Sequence, residues 1–211
     1  MHKINLDQAT HSRPQLTFTE QVRIRFGSIL DPIAAFFNRL GLMPNTMTII
    51  GLLGNMIGAY LITQGQMTLG GLLILAMGPV DALDGTMARL RGESSEFGAF
   101  VDSVTDRYSE LVIFGALIYY FIANGDWSGA VIAYAAAVGA VLVSYVRARA
   151  SSLGYETKVG ILTRLERYLV LAPSLLLNIP LVGLWIIAIL ANITALQRIW
   201  DVRRQTKEKK R

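Results

Sequence analysis

No charged side chain occurs between residues 40 and 80, or again between residues 168 and 197. Runs of this length are foreign to an ordinary soluble domain. One crossing of a bilayer takes about 20 apolar residues, so each run holds more than a single span and must be broken. The breaks are visible: Thr63-Gln64-Gly65-Gln66 in the first run and Asn178-Ile179-Pro180 in the second. Mean hydropathy of +0.43 and 53% hydrophobic residues agree with a membrane protein. Six helices are expected, over residues 45–62, 67–91, 95–123, 127–150, 163–177 and 180–202. No internal repeat interrupts them.

Upstream, residues 1–17 are polar and read as a disordered tail, unlike a secretory signal peptide. From Thr19 the apolar positions Val22, Phe26, Ile29, Leu30, Ile33, Phe36, Phe37 and Leu40 recur at helical spacing. This predicts an amphipathic juxtamembrane helix at the membrane interface, with Pro32 as a candidate break. The fold class is therefore all-α, an integral membrane protein with six transmembrane helices and an N-terminal amphipathic juxtamembrane helix. The expected organisation is residues 1–42 as tail and interfacial helix, 43–204 as the transmembrane catalytic domain, and 205–211 as a basic tail.

The 20 lysines and arginines fix an orientation. Five precede residue 44, three flank the second loop, five flank the fourth and seven lie from Arg198 onward. The turns near residues 64, 125 and 179 carry none. The positive-inside rule places both termini, and the loop after residue 91, in the cytoplasm of a multi-pass cell-membrane protein. The net charge of +5 then reports topology and anionic lipid, not nucleic acid. Cysteines are absent, and the two histidines, His2 and His11, stand in the polar tail. Disulfides, thiolate metal sites and histidine-ligated zinc are excluded.

Within these apolar helices stand four carboxylates, Asp81, Asp84, Asp102 and Asp106. The first two are three residues apart and the last two four, so each pair shares a helix face. Carboxylates inside a membrane helix are costly. Bound metal is the simplest compensation, and an all-oxygen site suits Mg2+, with Mn2+ as a substitute. Four carboxylates on two helices can hold two ions about 4 Å apart, an arrangement that clamps phosphoryl transfer. Gly85 and Gly98 open the same region to close approach, Ala88 keeps it shallow, and Arg89 can reach a diphosphate.

Asp81, Asp84, Gly85, Ala88, Arg89, Gly98, Asp102 and Asp106 together resemble the signature of the CDP-alcohol phosphotransferases, D-x2-D-G-x2-A-R-x8-G-x3-D-x3-D, at every fixed position. The resemblance implies a homodimeric membrane transferase that moves a phosphatidyl group from a CDP-linked lipid such as CDP-diacylglycerol to an alcohol, releasing CMP. It implies Asp81, Asp84, Asp102 and Asp106 as metal ligands and Asp106 also as general base. On the donor side it implies Pro44, Asn45, Thr46, Met47, Gly85, Ala88, Arg89 and Ser95. Pro44 and Ser95 also read as helix-start residues. Ser144–Ala150 and Arg164–Arg167 are similar to stretches of phosphatidylinositol phosphate and archaetidylinositol phosphate synthases, though Arg147 and Leu165 stand where the bacterial enzymes have lysine and proline. This narrower likeness implies inositol 1-phosphate as acceptor, its phosphate held by Arg147, Arg164 and Arg167. Glycerol 3-phosphate or another alcohol is the alternative acceptor. A cation transporter with intramembrane carboxylates and a noncatalytic lipid-binding scaffold are the readings from other classes.

Overall fold

The computed structural model describes residues 18–93 and 95–209; the side chains of residues 18–26 and 28 lie outside that description. The expected tail, with both histidines, also lies outside it. Among the described residues there are seven helices and no strands: α1 (Phe18–Arg39), α2 (Pro44–Thr63), α3 (Met67–Arg91), α4 (Glu96–Ala123), α5 (Trp127–Ser152), α6 (Arg164–Leu176) and α7 (Pro180–Glu208). Pro44 occupies the first turn of α2, and the Ser95 hydroxyl caps α4 by accepting from the Gly98 N–H at 3.0 Å. Gly65 and Gly125 end α2 and α4 in the left-handed region, at φ +77° and +74°, where a side chain would be strained.

The helices form a closed ring. α3 packs on α2, α2 on α4, α4 on α5, α5 on α7, α7 on α6, and α6 returns to α3. All six contribute to one core, through Ile62, Ile74, Phe114, Leu117, Ala140, Val143, Leu175 and Ile187 among others. Apolar side chains also cover the outside: Ile49, Leu53, Ile57, Val131, Trp185, Ile189 and Ile193 are all exposed. An apolar exterior around an apolar core is the distribution a lipid solvent favours.

Four helices, α2, α3, α5 and α7, are long and apolar enough to cross a membrane. The other two expected spans differ for physical reasons. α4 has the length, with 28 residues, but Asp102, Asp106, Arg107 and Glu110 crowd its first and middle turns. α6 has 13 residues, a rise of about 20 Å, because residues up to Thr163 remain in the connecting loop. Two further expectations are corrected. α1 runs unbroken through Pro32, which is exposed, where a missing N–H is tolerated. Of the predicted apolar positions of α1, Leu30 and Phe37 pack with Ala34 toward α3, while Ile29, Ile33, Phe36 and Leu40 are exposed. At the other end, α7 continues to Glu208, with Arg204 paired to Glu208 at 2.9 Å. The basic run expected as a tail from residue 205 therefore begins inside a helix.

Small residues bring the helices together. Gly51, Gly54 and Gly58 line the face of α2 that meets α3, and a Cβ on Gly58 would lie 2.8 Å from Ile74 Cγ1 and 3.2 Å from the Gly70 carbonyl oxygen. Close backbone approach of this kind supplies much of the packing between helices in lipid. Gly58→Leu is expected to destabilise the fold by about 1–3 kcal/mol through overpacking. A lowered thermal midpoint in detergent checks this, and an unchanged midpoint contradicts the tight α2–α3 seam.

Candidate active site

The four predicted carboxylates sit at one end of the ring, on two helices that scarcely touch each other. Asp81 and Asp84 lie in α3, Asp102 and Asp106 in α4. Asp84 and Asp106 are buried, at 7% and 8% exposure. Asp84 is held from both sides: Thr48 of α2 donates to its Oδ2 at 2.7 Å, and the Gly85 N–H donates to its Oδ1 at 2.5 Å. Above Asp81, the neighbouring helix carries Gly51, where any Cβ would collide with the carboxylate. The space beside Gly85 is open.

Arg164 completes the cluster from a third helix. Its guanidinium pairs with Asp106 Oδ1 and lies 3.4 Å from Asp81 Oδ2, joining α6 to α4 and α3. Arg107 lies 3.8 Å from Asp106 and bonds to Ser144 of α5. Four carboxylates thus face two guanidiniums, and the cluster keeps an excess of negative charge. Among the described residues no three acidic or imidazole groups form a finished metal cage; the Arg164 guanidinium stands between the carboxylates instead. The donor set still fits a hard divalent cation, being all oxygen, partly desolvated, short of positive charge and opened by Gly51.

The three arginines predicted to hold the acceptor are placed differently from one another. Arg164 is on the aspartates. Arg167 is buried, at 2% exposure, and grips Glu110 with Nε and one terminal nitrogen at 2.6 and 3.0 Å. Its remaining nitrogen, NH1, has no hydrogen-bond partner. Arg147 is exposed on α5, and the structure does not bring it to the aspartates. On the donor side, Asn45 is exposed, Thr46 half-buried, and Met47 packs against Leu83 and Met87. Arg89 folds back along its own helix to the Gly85 carbonyl and the Thr86 hydroxyl, at 3.3 and 3.0 Å. Ala88 is half-buried.

α6 is held in place by its preceding loop. Thr194 of α7 accepts from the backbone N–H groups of Ile161 and Leu162, at 3.2 and 3.0 Å. Buried Arg198 donates to the carbonyls of Val159 and Val143, at 3.0 and 2.6 Å. Gln205 donates to the Glu156 carbonyl at 2.7 Å. Glu110, Arg107 and Tyr168 were not among the predicted site residues. Only Glu110 carried a usable signal, as a fifth acidic position one turn beyond Asp106 in an apolar helix.

Comparison with known proteins agrees with this geometry. A sequence model of the CDP-alcohol phosphatidyltransferase family matches residues 41–197, and the chain belongs to that family of membrane enzymes. The phosphatidylinositol phosphate synthase of Streptomyces avermitilis is 33% identical, over 95% of this chain and 88% of that one. The archaetidylinositol phosphate synthase of Pyrococcus horikoshii is also 33% identical, over 88% of this chain and 96% of that one. Phosphatidylinositol phosphate synthase of Mycobacterium tuberculosis with CDP-DAG bound superimposes with a TM-score of 0.77 at 30% identity, covering 83% of this chain and 94% of that chain. The same enzyme in complex with manganese and citrate gives 0.76 at 30% identity, covering 82% and 88%.

Breaking the buried Arg167–Glu110 pair from one side should be far worse than removing both charges. Arg167→Met is expected to cost about 3–5 kcal/mol, and the double variant Arg167→Met with Glu110→Gln markedly less. Thermal unfolding in detergent measures both. A double variant no more stable than the single one would contradict the pairing.

Proposed function

We propose that this protein transfers the phosphatidyl group of CDP-diacylglycerol to inositol 1-phosphate, releasing CMP and forming phosphatidylinositol phosphate. The observation that carries this reading is the meeting of Arg164 with Asp81 and Asp106. An arginine able to bind a phosphate stands directly against the carboxylates that serve the donor. The relatives act on the same chemistry: the mycobacterial enzyme is a phosphatidylinositol phosphate synthase with CDP-DAG bound. Sequence likeness on the Arg147, Arg164 and Arg167 stretches supports the acceptor.

Asp81, Asp84, Asp102 and Asp106 would hold divalent cations, two magnesium ions in this reading, with manganese able to replace them. The metal supplies positive charge to the donor diphosphate and to the leaving CMP. The chain's own residues do the rest. Thr48 and the Gly85 N–H orient Asp84. Pro44, Asn45, Thr46 and Met47, with Gly85, Ala88, Arg89 and Ser95, line the donor side at the same end of α2, α3 and α4. Asp106 takes the proton of the acceptor hydroxyl. The hydroxyl oxygen attacks the phosphatidyl phosphorus, a new P–O bond forms, and the bond to CMP breaks. Arg164 and Arg167, whose NH1 is a spare donor, hold the acceptor's phosphate, with Arg147 at the entrance.

In this reading six helices, α2 to α7, span the cell membrane, and α1 lies at its interface with Ile29, Ile33, Phe36 and Leu40 toward lipid. The charged end of the ring faces the cytoplasm, where the nucleotide and inositol phosphate are soluble. The acyl chains stay in the bilayer.

Purified protein given CDP-diacylglycerol should release CMP with inositol 1-phosphate far better than with free inositol or glycerol 3-phosphate. Chelator, Asp81→Asn and Asp102→Asn should each reduce release to background. Arg164→Ala should raise the inositol 1-phosphate KM by roughly tenfold or more, the loss of a contact worth about 1.5–3 kcal/mol, and leave the donor KM nearly unchanged. Full turnover in chelator, or equal use of free inositol, would reject the reading. Topology is checked separately, on a chain with no cysteine of its own. A cysteine placed at Gln64, Gly125 or Asn178 should label from outside the cell, and one placed at Gly92 or Lys158 should not. Outside labelling at Gly92 would invert the site.

A further inference from the structure

Pro79 stands two residues before Asp81, inside α3. Having no N–H, it leaves the carbonyl of Leu75 without its helical donor. In an apolar span an unbonded carbonyl is expensive, because no water can replace the missing partner. The donor comes from α6: the Tyr168 hydroxyl lies 2.6 Å from the Leu75 carbonyl oxygen, to which it donates, and 3.1 Å from that of Ile74. It accepts from the Gly78 N–H at 3.2 Å. Gly78 leaves the room for this, since a Cβ there would strike the hydroxyl and the ring. Gly78 and Pro79 thus form a notch in α3 that receives the tip of one tyrosine.

We infer that Tyr168 is the positioning residue that sets the register of α6 against α3, and thereby where Arg164 points. The inference rests on the acceptor role proposed for Arg164. Tyr168 follows Arg164 by four residues, so the two share a face one turn apart. Apart from the Arg164–Asp81 contact itself, these helices meet closely where side chains are apolar: a Cβ on Gly71 would lie 2.6 Å from the backbone nitrogen of Leu176 and 2.7 Å from Leu175 Cβ. Apolar contact holds helices together and lets them slide. A hydrogen bond is directional and fixes one register. Without the hydroxyl, α6 keeps its loop anchor and the Arg167–Glu110 pair to α4 and loses the directional contact that sets its register against α3 one turn from Arg164.

A purely structural role, satisfying the Leu75 carbonyl, is separable from a positioning role. Tyr168→Phe removes the hydroxyl and keeps the ring. Pro79→Ala restores an N–H to the Leu75 carbonyl. Tyr168→Phe should lower the thermal midpoint and raise the inositol 1-phosphate KM about tenfold, since small misplacements of a binding group are costly, with little change in the CDP-diacylglycerol KM. Adding Pro79→Ala to Tyr168→Phe should recover the midpoint and leave the acceptor KM high. Recovery of both would overturn the inference, as would an equal rise in the two KM values. A cycle that needs no substrate gives an independent answer. Arg164→Ala should shift the thermal midpoint less in the Tyr168→Phe background than in wild type, and equal shifts would show that the two residues act independently. If wild type releases no CMP with inositol 1-phosphate, the functional reading fails, while this cycle still decides the inference.

Discussion

Arg164 reaches from α6 to Asp81 on α3 and Asp106 on α4, and the rest of the charged layer is arranged around that meeting. Carboxylates desolvated among apolar helices need positive charge nearby. One guanidinium spanning two helices provides part of it and joins helices that otherwise scarcely contact each other. The neighbouring pairs follow the same demand. Arg167 closes on Glu110, Arg107 turns between Asp106 and Ser144, and Thr48 donates to Asp84. The remaining negative excess suits the cluster to the divalent cations proposed for it.

The ring explains how such a layer stays in place. Glycines let α2 approach α3 and α3 approach α6. The loop before α6 is fastened to α7 by Thr194, Arg198 and Gln205. Arg164 therefore starts from a fixed point, although 42% of its side-chain surface is accessible. A group that is anchored at its base and open at its tip suits the acceptor role proposed for Arg164.

Much of this was legible in the sequence. Apolar runs, their polar breaks and helical periodicity located the helices to within a few residues, apart from the C-terminal extension of α7. The aspartate spacing placed all four carboxylates on the correct two helices, because helical periodicity is local. What escaped notice depends on tertiary contact. Nothing in the sequence shows that Arg167 also pairs with Glu110, 57 residues away. Tyr168 reads as an ordinary apolar position until the gap left by Pro79 is seen opposite it. The stripe of α1 looked single because a sequence shows which residues are apolar and not which partner each one faces. Pro32 does not break α1 because it lies exposed on the helix, a fact the sequence does not carry.

The central claim is that Asp81, Asp84, Asp102 and Asp106 act as one divalent-cation site with Arg164 at its edge. Electron paramagnetic resonance of Mn2+ titrated into the purified protein tests it without substrates. Saturable Mn2+ binding that Mg2+ displaces, and that Asp102→Asn abolishes in a protein still folded, is the predicted result. Binding that survives Asp102→Asn unchanged, or no saturable binding to wild type, would contradict the account.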